Sequence, residues 1–206
     1  DINQIPIYAG SMAQVYLAQD SFGRKSAVRA IKPGIRSLFE KEKPVIATLA
    51  AELDKDIEIQ SLQLPKFSTM ATASERSVEN ELDVALTARN QKQVQYAYAD
   101  EYTSTDRLGR SLTVRFKVPQ VIGFDENFIH QEYMQGKPVD SLGLNAPAKM
   151  ELKKMIRSHF YSKALLEGLV HGDLHNGNSL SSVSSKGSHL YVDFAILDYG
   201  IFGRLD

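Results

Sequence analysis

The chain has 206 residues, 43% of them apolar, and its 24 Lys and Arg residues nearly balance 25 Asp and Glu residues, for a net charge of -1. This composition excludes a disordered chain and fits one large domain or two small lobes. Without a basic excess, nucleic acid is not expected as a partner. The sequence has no cysteine, which excludes disulfides and thiolate sites, and no apolar run reaches the roughly 18 residues of a membrane-spanning helix.

In chain order, the first half of the sequence predicts two strands followed by helices. The stretch IPIYAGSMAQVYLAQD is rich in β-forming residues, and a turn at 21–23 separates it from a second strand, KSAVRAI. Apolar residues recur at helical spacing from 35 to about 58, where Pro44 starts or kinks a helix. A long helix is expected from about 66 to 99. Its apolar face contains Val78, Leu82, Leu86 and Val94.

The second half predicts strands, one helix and a final buried strand. SLTVRFKVPQVIGF and NFIHQEYM are typical of strands joined by a turn at 125–127, and 147–169 has helical periodicity. SSVSSKGS, at 181–188, is expected to be a short flexible hairpin-like loop before the strand in YVDFAILDYG. This order predicts an α+β protein in two lobes, connected near 133–138.

Two short motifs near the C-terminal end predict phosphoryl-transfer chemistry. In HGDLHNGN, Asp173 is the candidate carboxylate that orients or deprotonates an acceptor, and Asn178, five residues later, is a candidate magnesium ligand. In ILDYG, Asp198 ends a strand just before a glycine and is a candidate ligand for magnesium. The order Asp-x-x-x-x-Asn, then Asp-aromatic-Gly, is that of kinase-like catalytic and metal-binding loops. Together the motifs are specific, whereas either alone is weak.

The same residues also fit two other interpretations. Asp173 and Asn178 could simply form turns, in which Asp, Asn and Gly are common. His171 and His175, four residues apart, could bind zinc on a helix, but Gly172 and Gly177 disfavour a helix there. Structural roles are therefore expected for both histidines, with His171 hydrogen-bonded to the loop backbone.

The N-terminal loop YAGSMAQVY, with Ala9, Gly10 and Ser11, resembles the alanine-rich nucleotide loop of the UbiB family of atypical kinases. Further segments resemble that family in the same order, so the resemblance runs from about residue 5 to 206. These segments are SFGRKSAVRAIKPGI, ENELDVAL, VPQV with QEYMQGKPV, GLVHGDLHNGN and ILDYGIFGRLD.

The resemblance implies a protein-kinase-like two-lobed fold. A β-rich N-lobe with inserted helices is expected at 1–135, with the nucleotide loop at 8–14. A truncated, mainly helical C-lobe is expected at 136–206, with the catalytic loop at 171–178 and the metal-binding loop at 198–200. The chain is expected to be part of a longer protein, since it lacks the family's N-terminal Lys-x-Gly-Gln extension and stops soon after the metal-binding loop.

The resemblance also assigns site residues and cofactors. ATP and magnesium are the implied cofactors. Asp173 would be catalytic, Asn178 and Asp198 would bind magnesium, and residues 9–11 would cover the phosphates. Residues 131–134, which include Glu132 and Met134, would form the hinge beside the adenine. Glu81 and Asp83 would match the family's Glu-x-Asp feature on the long helix.

Several departures from the family pattern put catalysis in doubt. The strand lysine that bridges the phosphates falls at Arg29, a different donor geometry. Arg29 could equally be an exposed charge, and Lys25, on the same strand face, could substitute for it. The helix glutamate that would pair with that lysine falls at Thr87. Leu174 and Asn176 replace prolines in the catalytic loop, and Tyr8 replaces an alanine in the nucleotide loop.

Three functions follow as hypotheses. The first is an ATP- and magnesium-dependent kinase or ATPase of UbiB type, supporting ubiquinone or related isoprenoid-quinone lipid metabolism. The second is a nucleotide-binding pseudokinase or regulatory module, and the third is a small-molecule phosphotransferase of the aminoglycoside or choline kinase type. For the first, the implied partners are an isoprenoid or quinone-precursor lipid and a membrane surface in a bacterium, mitochondrion or plastid.

Overall fold

The computed structural model describes residues 1–62, 64–106 and 108–205, so Asp206, at which the predicted second lobe ends, lies outside the described residues. In chain order, the first elements are β1 (Tyr8–Ala9), β2 (Ala13–Gln19), β3 (Lys25–Ile31), α1 (Ile35–Leu53), α2 (Ile57–Ser61), α3 (Phe67–Leu82) and α4 (Val84–Ala97). They are followed by β4 (Glu101–Thr105), β5 (Ser111–Lys117), β6 (Val121–Phe124), β7 (Phe128–Glu132), α5 (Ala146–Glu167), β8 (Leu169–His171), β9 (Ser179–Lys186), β10 (His189–Ile196) and β11 (Phe202–Arg204). The predicted α+β class is confirmed.

Two larger sheets organise the chain. The first has the strand order β1-β2-β3-β7-β6, and all of its neighbouring strands are antiparallel. The second has the order β4-β5-β10-β9, in which β5 and β10 are parallel. A small third sheet pairs β11 with β8. The stretch 111–124 contributes to both larger sheets, because β5 belongs to the second sheet and β6 to the first. Only Val118, Pro119 and Gln120 lie between these two strands.

Where the sequence predicts one helix at about 66–99, the structure has α3 and α4. Asp83 lies between them with φ -81 and ψ 88, and its side chain accepts a hydrogen bond from the Leu86 N–H, at 2.8 Å. Asp83 thus ends one helix and caps the next. The break turns α4 towards the first sheet, where Val84 and Ala88 pack against Val121 and Ile129.

The main hydrophobic core lies between the second sheet and α5. Asn145 caps α5 by accepting from the Ala148 N–H, and Gly168 ends the helix with a positive φ of 70. One stripe of α5 is buried, while Leu165 and Leu166, near its C-terminal end, are exposed. The core contains Val94, Tyr98, Leu112, Val114, Phe116, Leu152, Met155, Val192, Phe194, Ile196 and Tyr199, among others.

Some strands, β4 and β9 among them, differ from the sequence expectation. β4 was not predicted, and most of the expected loop at 181–188 belongs to β9, which pairs along its whole length with β10. Both strands have few apolar residues, so their sequences carry a weak strand signal. They are strands because β4 pairs with β5 and β9 pairs with β10. Within the described ranges, no helix has the length and apolar character needed to cross a membrane.

Candidate functional site

Asp173 and Asn178 lie side by side in the loop between β8 and β9. The Asn178 Nδ2 donates hydrogen bonds to the Asp173 backbone carbonyl, at 3.0 Å, and to Asp173 Oδ2, at 2.9 Å. Both neighbours are acceptors, so the amide nitrogen must face them. The Asn178 Oδ1 atom is therefore directed away from Asp173 and remains available to a cation.

The two histidines of this loop orient its backbone. His171 Nε2 is hydrogen-bonded to the Asp198 carbonyl oxygen, and His171 Nδ1 accepts from the Asp173 N–H, at 3.3 Å. Burial lowers the pKa of His171. The His175 Nδ1 accepts from the Gly177 N–H, at 2.9 Å. The prediction that His171 bonds the loop backbone is confirmed, and the described residues contain no metal-binding cluster of three or more His, Cys, Asp or Glu.

The Asp198-Tyr199-Gly200 segment is held by the helices of the N-terminal half. Asp198 Oδ1 accepts from the Gly200 N–H, at 3.0 Å, and the Tyr199 carbonyl accepts from Asn90 Nδ2 of α4, also at 3.0 Å. A Cβ at Gly200 would lie 3.4 Å from the Glu81 Cα of α3. Gly200 therefore lies next to α3, at a distance where a Cβ would make an ordinary van der Waals contact.

Arg29 joins β3 to this segment. Its Nη2 lies 3.2 Å from Asp198 Oδ2 and 3.7 Å from Glu81 Oε1, and its side chain is only 11% exposed. The Nη1 atom is buried without a hydrogen-bond partner among the described residues. The alternative that Arg29 is an exposed surface charge is therefore wrong, and a guanidinium nitrogen is left unsatisfied beside two carboxylates.

The family resemblance places Glu81 in the Glu-x-Asp feature and does not predict that it lies beside Arg29. Its pKa is raised by burial and by the charges of Asp198 and Asp173, and Arg29 opposes this rise. Thr87, where the sequence comparison expects the pairing glutamate, is buried, and its hydroxyl donates to the Asp83 carbonyl, at 3.1 Å. Only the three-dimensional arrangement reveals Glu81 as the helix carboxylate beside Arg29.

Lys25 lies apart from these residues. It is exposed at the first position of β3, opposite Gln19. Four residues of strand separate it from Arg29, about 13 Å at ordinary strand rise. The structure thus brings Arg29, and not Lys25, to the cluster.

The turn between β1 and β2 follows a strand residue, Tyr8, that approaches the catalytic loop. The Gly10 N–H donates to the Ala13 carbonyl, at 2.9 Å, which closes a tight turn in which Ala9 and Ser11 are exposed. The Tyr8 hydroxyl would lie 3.8 Å from a Cβ at Gly177. Tyr8, noted in the sequence only as a departure from alanine, therefore approaches the loop that carries Asp173.

The proposed hinge follows β7. Glu132 is exposed, and its N–H donates to the Gln120 carbonyl, at 2.8 Å. Within the described part of the chain, the backbone N–H and C=O of Met134 make no hydrogen bond to protein. A free donor and acceptor at this position suit a planar base with a polar edge.

Sequence relatives cover nearly the whole chain. An uncharacterized protein of Synechocystis sp., slr0889, is 24% identical over 221 residues, 100% of this chain and 49% of that protein. An uncharacterized protein of Mycobacterium tuberculosis, Rv0647c, is 28% identical over 218 residues, 98% of this chain and 38% of that protein. The chain thus spans about half the length, or less, of these curated relatives.

Solved structures share the fold. Rv3197 of Mycobacterium tuberculosis, determined in complex with erythromycin, has a TM-score of 0.61 and 21% identity, covering 98% of this chain and 46% of that chain. The Rio2 kinase of Chaetomium thermophilum, determined with ADP, Mg²⁺ and phosphoaspartate, has a TM-score of 0.59 and 13% identity, covering 100% of this chain and 49% of that chain. The fold is therefore kinase-like, as the sequence predicted.

The family comparison extends over the whole sequence. The model of the ABC1 atypical kinase-like domain matches residues 1–206. UbiB, which the sequence motifs resemble, is a member of that family. The chain belongs to the ABC1 atypical kinase-like domain family.

Proposed function

We propose that this domain binds ATP and magnesium in the cleft between the β1–β2 loop and the Asp173 loop, and that it is an atypical kinase or ATPase. The observation that carries the proposal is that the Asp173–Asn178 loop meets the Arg29–Asp198 ion pair, since His171 is hydrogen-bonded to the backbone of both Asp173 and Asp198. Carboxylate and amide oxygens beside an unsatisfied guanidinium nitrogen match a magnesium–phosphate group in charge and in hydrogen bonding.

The donor set fits magnesium together with a nucleotide. Asp198 and the free Asn178 Oδ1 would hold the cation, with nucleotide phosphates completing its coordination, since Mg²⁺ is usually held by one or two carboxylates plus phosphates. When bound, the cation neutralises charge on the β- and γ-phosphate oxygens. The Arg29 Nη1 would donate to a phosphate oxygen, and residues 9–11 would cover the phosphates.

In the transfer step, Asp173 orients the hydroxyl of a water or of an acceptor and takes up its proton. A bond forms between that oxygen and the γ-phosphorus, while the bond from the γ-phosphorus to the β–γ bridging oxygen breaks and ADP leaves. Asn178 holds Asp173 in place through the two hydrogen bonds from its amide. The UbiB resemblance supports an isoprenoid or quinone-precursor lipid as acceptor, at a membrane surface, in ubiquinone or related lipid metabolism.

A second candidate is a nucleotide-binding pseudokinase. The observation that favours it is the ion pair between Arg29 and Asp198, since a cation bound at Asp198 must compete with the guanidinium. In this case the domain binds nucleotide and magnesium without turnover.

Thermal unfolding with ADP, with and without Mg²⁺, tests binding. A Mg²⁺-dependent stabilisation is expected for the wild type and should be lost in Asp198→Asn. Asp125→Asn is the matched control, because Asp125 lies in the β6–β7 turn and asparagine can still accept its hydrogen bonds from Asn127 and Phe128. Absence of any nucleotide effect on folded wild-type protein would refute the proposal.

Hydrolysis of ATP then separates the two candidates. Asp173→Asn should retain Mg·ADP binding, and its rate of ATP hydrolysis should be about 10²–10⁴-fold lower than that of the wild type. This is the usual contribution of a positioned general base. A wild-type rate equal to that of Asp173→Asn, with binding intact, would instead establish the pseudokinase.

A further inference from the structure

Gln131 lies on the cleft side of the first sheet. In the β3–β7 pair, Gln131 is opposite Ala27, and Ile129 is opposite Arg29. Residues directly opposite each other, and residues two apart on a strand, share one face of a sheet. Gln131 therefore shares its face with Arg29, whose guanidinium reaches Asp198 in the cleft. It stands at the end of β7, three residues before Met134 of the proposed hinge.

A buried glutamine on α4 fixes the Gln131 amide. Gln91, only 1% exposed, donates through Nε2 to the Pro119 carbonyl, at 2.7 Å, and to Gln131 Oε1, at 2.8 Å. A carbonyl can only accept, so the Gln91 atom shared by these bonds is the nitrogen. The Gln131 atom that faces it must be the oxygen.

The nitrogen of Gln131 is therefore left for a ligand. The residue is only 7% exposed, and within the described part of the chain its Nε2 makes no hydrogen bond. Among the described residues, this Nε2 is not one of the fully buried atoms that lack a partner, so it reaches solvent. Because its oxygen is already engaged by Gln91, the side chain offers the cleft an N–H donor.

We propose that Gln131 donates a hydrogen bond to the group at the six-position of a bound purine. The cleft would therefore bind 6-oxopurine nucleotides, of the guanine type, at least as tightly as adenine nucleotides. The inference rests on the proposed nucleotide site. Guanine presents acceptors at O6 and N7, which an N–H donor complements. Adenine presents a donor, its N6 amino group, where guanine has O6. Gln91 is a positioning residue that keeps the donor turned towards the base.

Dissociation constants for ADP, GDP and IDP with Mg²⁺, measured by calorimetry, test the inference. Wild-type protein should bind GDP at least as tightly as ADP, and IDP, which has the 6-oxo group but no 2-amino group, should resemble GDP. Gln131→Met, which removes the donor at similar volume, should shift the GDP-to-ADP preference about tenfold towards ADP, the equivalent of one hydrogen bond.

Further variants separate a specific role from general damage. Gln131→Glu keeps an oxygen for Gln91 and offers a second acceptor, so it should favour ADP. Gln91→Leu removes the hydrogen bond that orients the Gln131 amide. The affinities for GDP and ADP should then become similar. His130→Gln changes the adjacent residue on the opposite face of β7 and should leave the preference unchanged. If ADP binds and both GDP and IDP bind measurably more weakly, the inference fails and the proposed function stands. If no nucleotide binds, both fail.

Discussion

At the scale of single residues, Arg29 has the largest consequence for the proposed site. Its Nη2 contacts both Asp198 and Glu81, and its Nη1 is buried with no hydrogen-bond partner in the described ranges. A lysine has one nitrogen on a flexible chain and cannot reproduce these contacts in the same geometry. The guanidinium also holds positive charge 3.2 Å from the oxygen that is proposed to bind magnesium. Arg29 and the cation therefore compete for Asp198.

This competition predicts how Arg29 variants respond to magnesium. Arg29→Met removes the charge, so the Mg²⁺ concentration that gives half of the ADP-induced thermal stabilisation should fall, on the order of 3–10-fold, at saturating ADP. Arg29→Lys should lie between this variant and the wild type. Arg36→Met is the control, because Arg36 donates to the Glu126 carbonyl, outside the cleft. A Mg²⁺ midpoint that stays the same or rises in Arg29→Met would contradict the competition.

The sequence predicts the local parts of the site better than its long-range contacts. Asp173 and Asn178 are five residues apart in one loop, so their spacing alone brings them together. The contacts of Arg29 with Glu81, and of Gln91 with Gln131, join elements that are distant along the chain. Such contacts depend on strand register and helix packing, which the pattern of one chain does not determine.

At the scale of elements, helical periodicity at 147–169 predicts α5 to within two residues of its ends, together with the apolar part of its buried stripe but not the polar part. The stripe contains Leu152, Met155, His159 and Lys163. The His159 ring stacks on Phe116 of β5, with centroids 3.7 Å apart, and its Nε2 is buried without a partner among the described residues. Periodicity locates apolar positions and does not indicate when a histidine is the residue that covers a sheet.

The buried position of His159 predicts a pH dependence of stability. Burial lowers its pKa from 6.5 to about 4; the charge of Lys163 acts in the same direction, and those of Asp100 and Glu167 oppose it. Between these values the unfolded chain binds a proton that the folded chain does not, so the free energy of unfolding falls as the pH falls from 6.5 to 4. The loss is on the order of 3 kcal/mol.

Urea unfolding of the wild type and of His159→Leu, measured from pH 4 to pH 7.5, tests this prediction. The wild type should lose stability relative to the variant below pH 6.5, and the difference should be constant above pH 7. Because other titrating groups are common to both proteins, they cancel in this difference. A difference that does not change with pH would show that His159 titrates alike in the folded and unfolded chains.

At the scale of the whole molecule, the chain between the hinge and α5 is attached to the strand that follows the catalytic loop. Lys137 and Ser181 exchange two backbone hydrogen bonds, of 2.8 and 2.7 Å. Beside them, Gly136 lies so close to β9 that a Cβ would be 2.7 Å from the Ser181 carbonyl oxygen. The segment that follows the hinge is therefore linked by backbone contact to β9, the strand that follows the catalytic loop.

Alanine substitutions at two glycines of this connection test how much the molecule depends on that contact. Gly136→Ala must displace the β9 backbone, and overpacking of this kind costs about 1–3 kcal/mol, so its melting temperature should fall by several degrees. Gly143→Ala is the matched control, because nothing lies within 4 Å of its Cβ and its φ is not in the left-handed region. That change should be neutral or slightly stabilising. Calorimetry gives both melting temperatures, and equal values would show that the close approach of Gly136 to Ser181 does not contribute to stability. A lower melting temperature in Gly136→Ala alone, with weaker Mg·ADP binding, would show that this contact also fixes the hinge relative to Asp173.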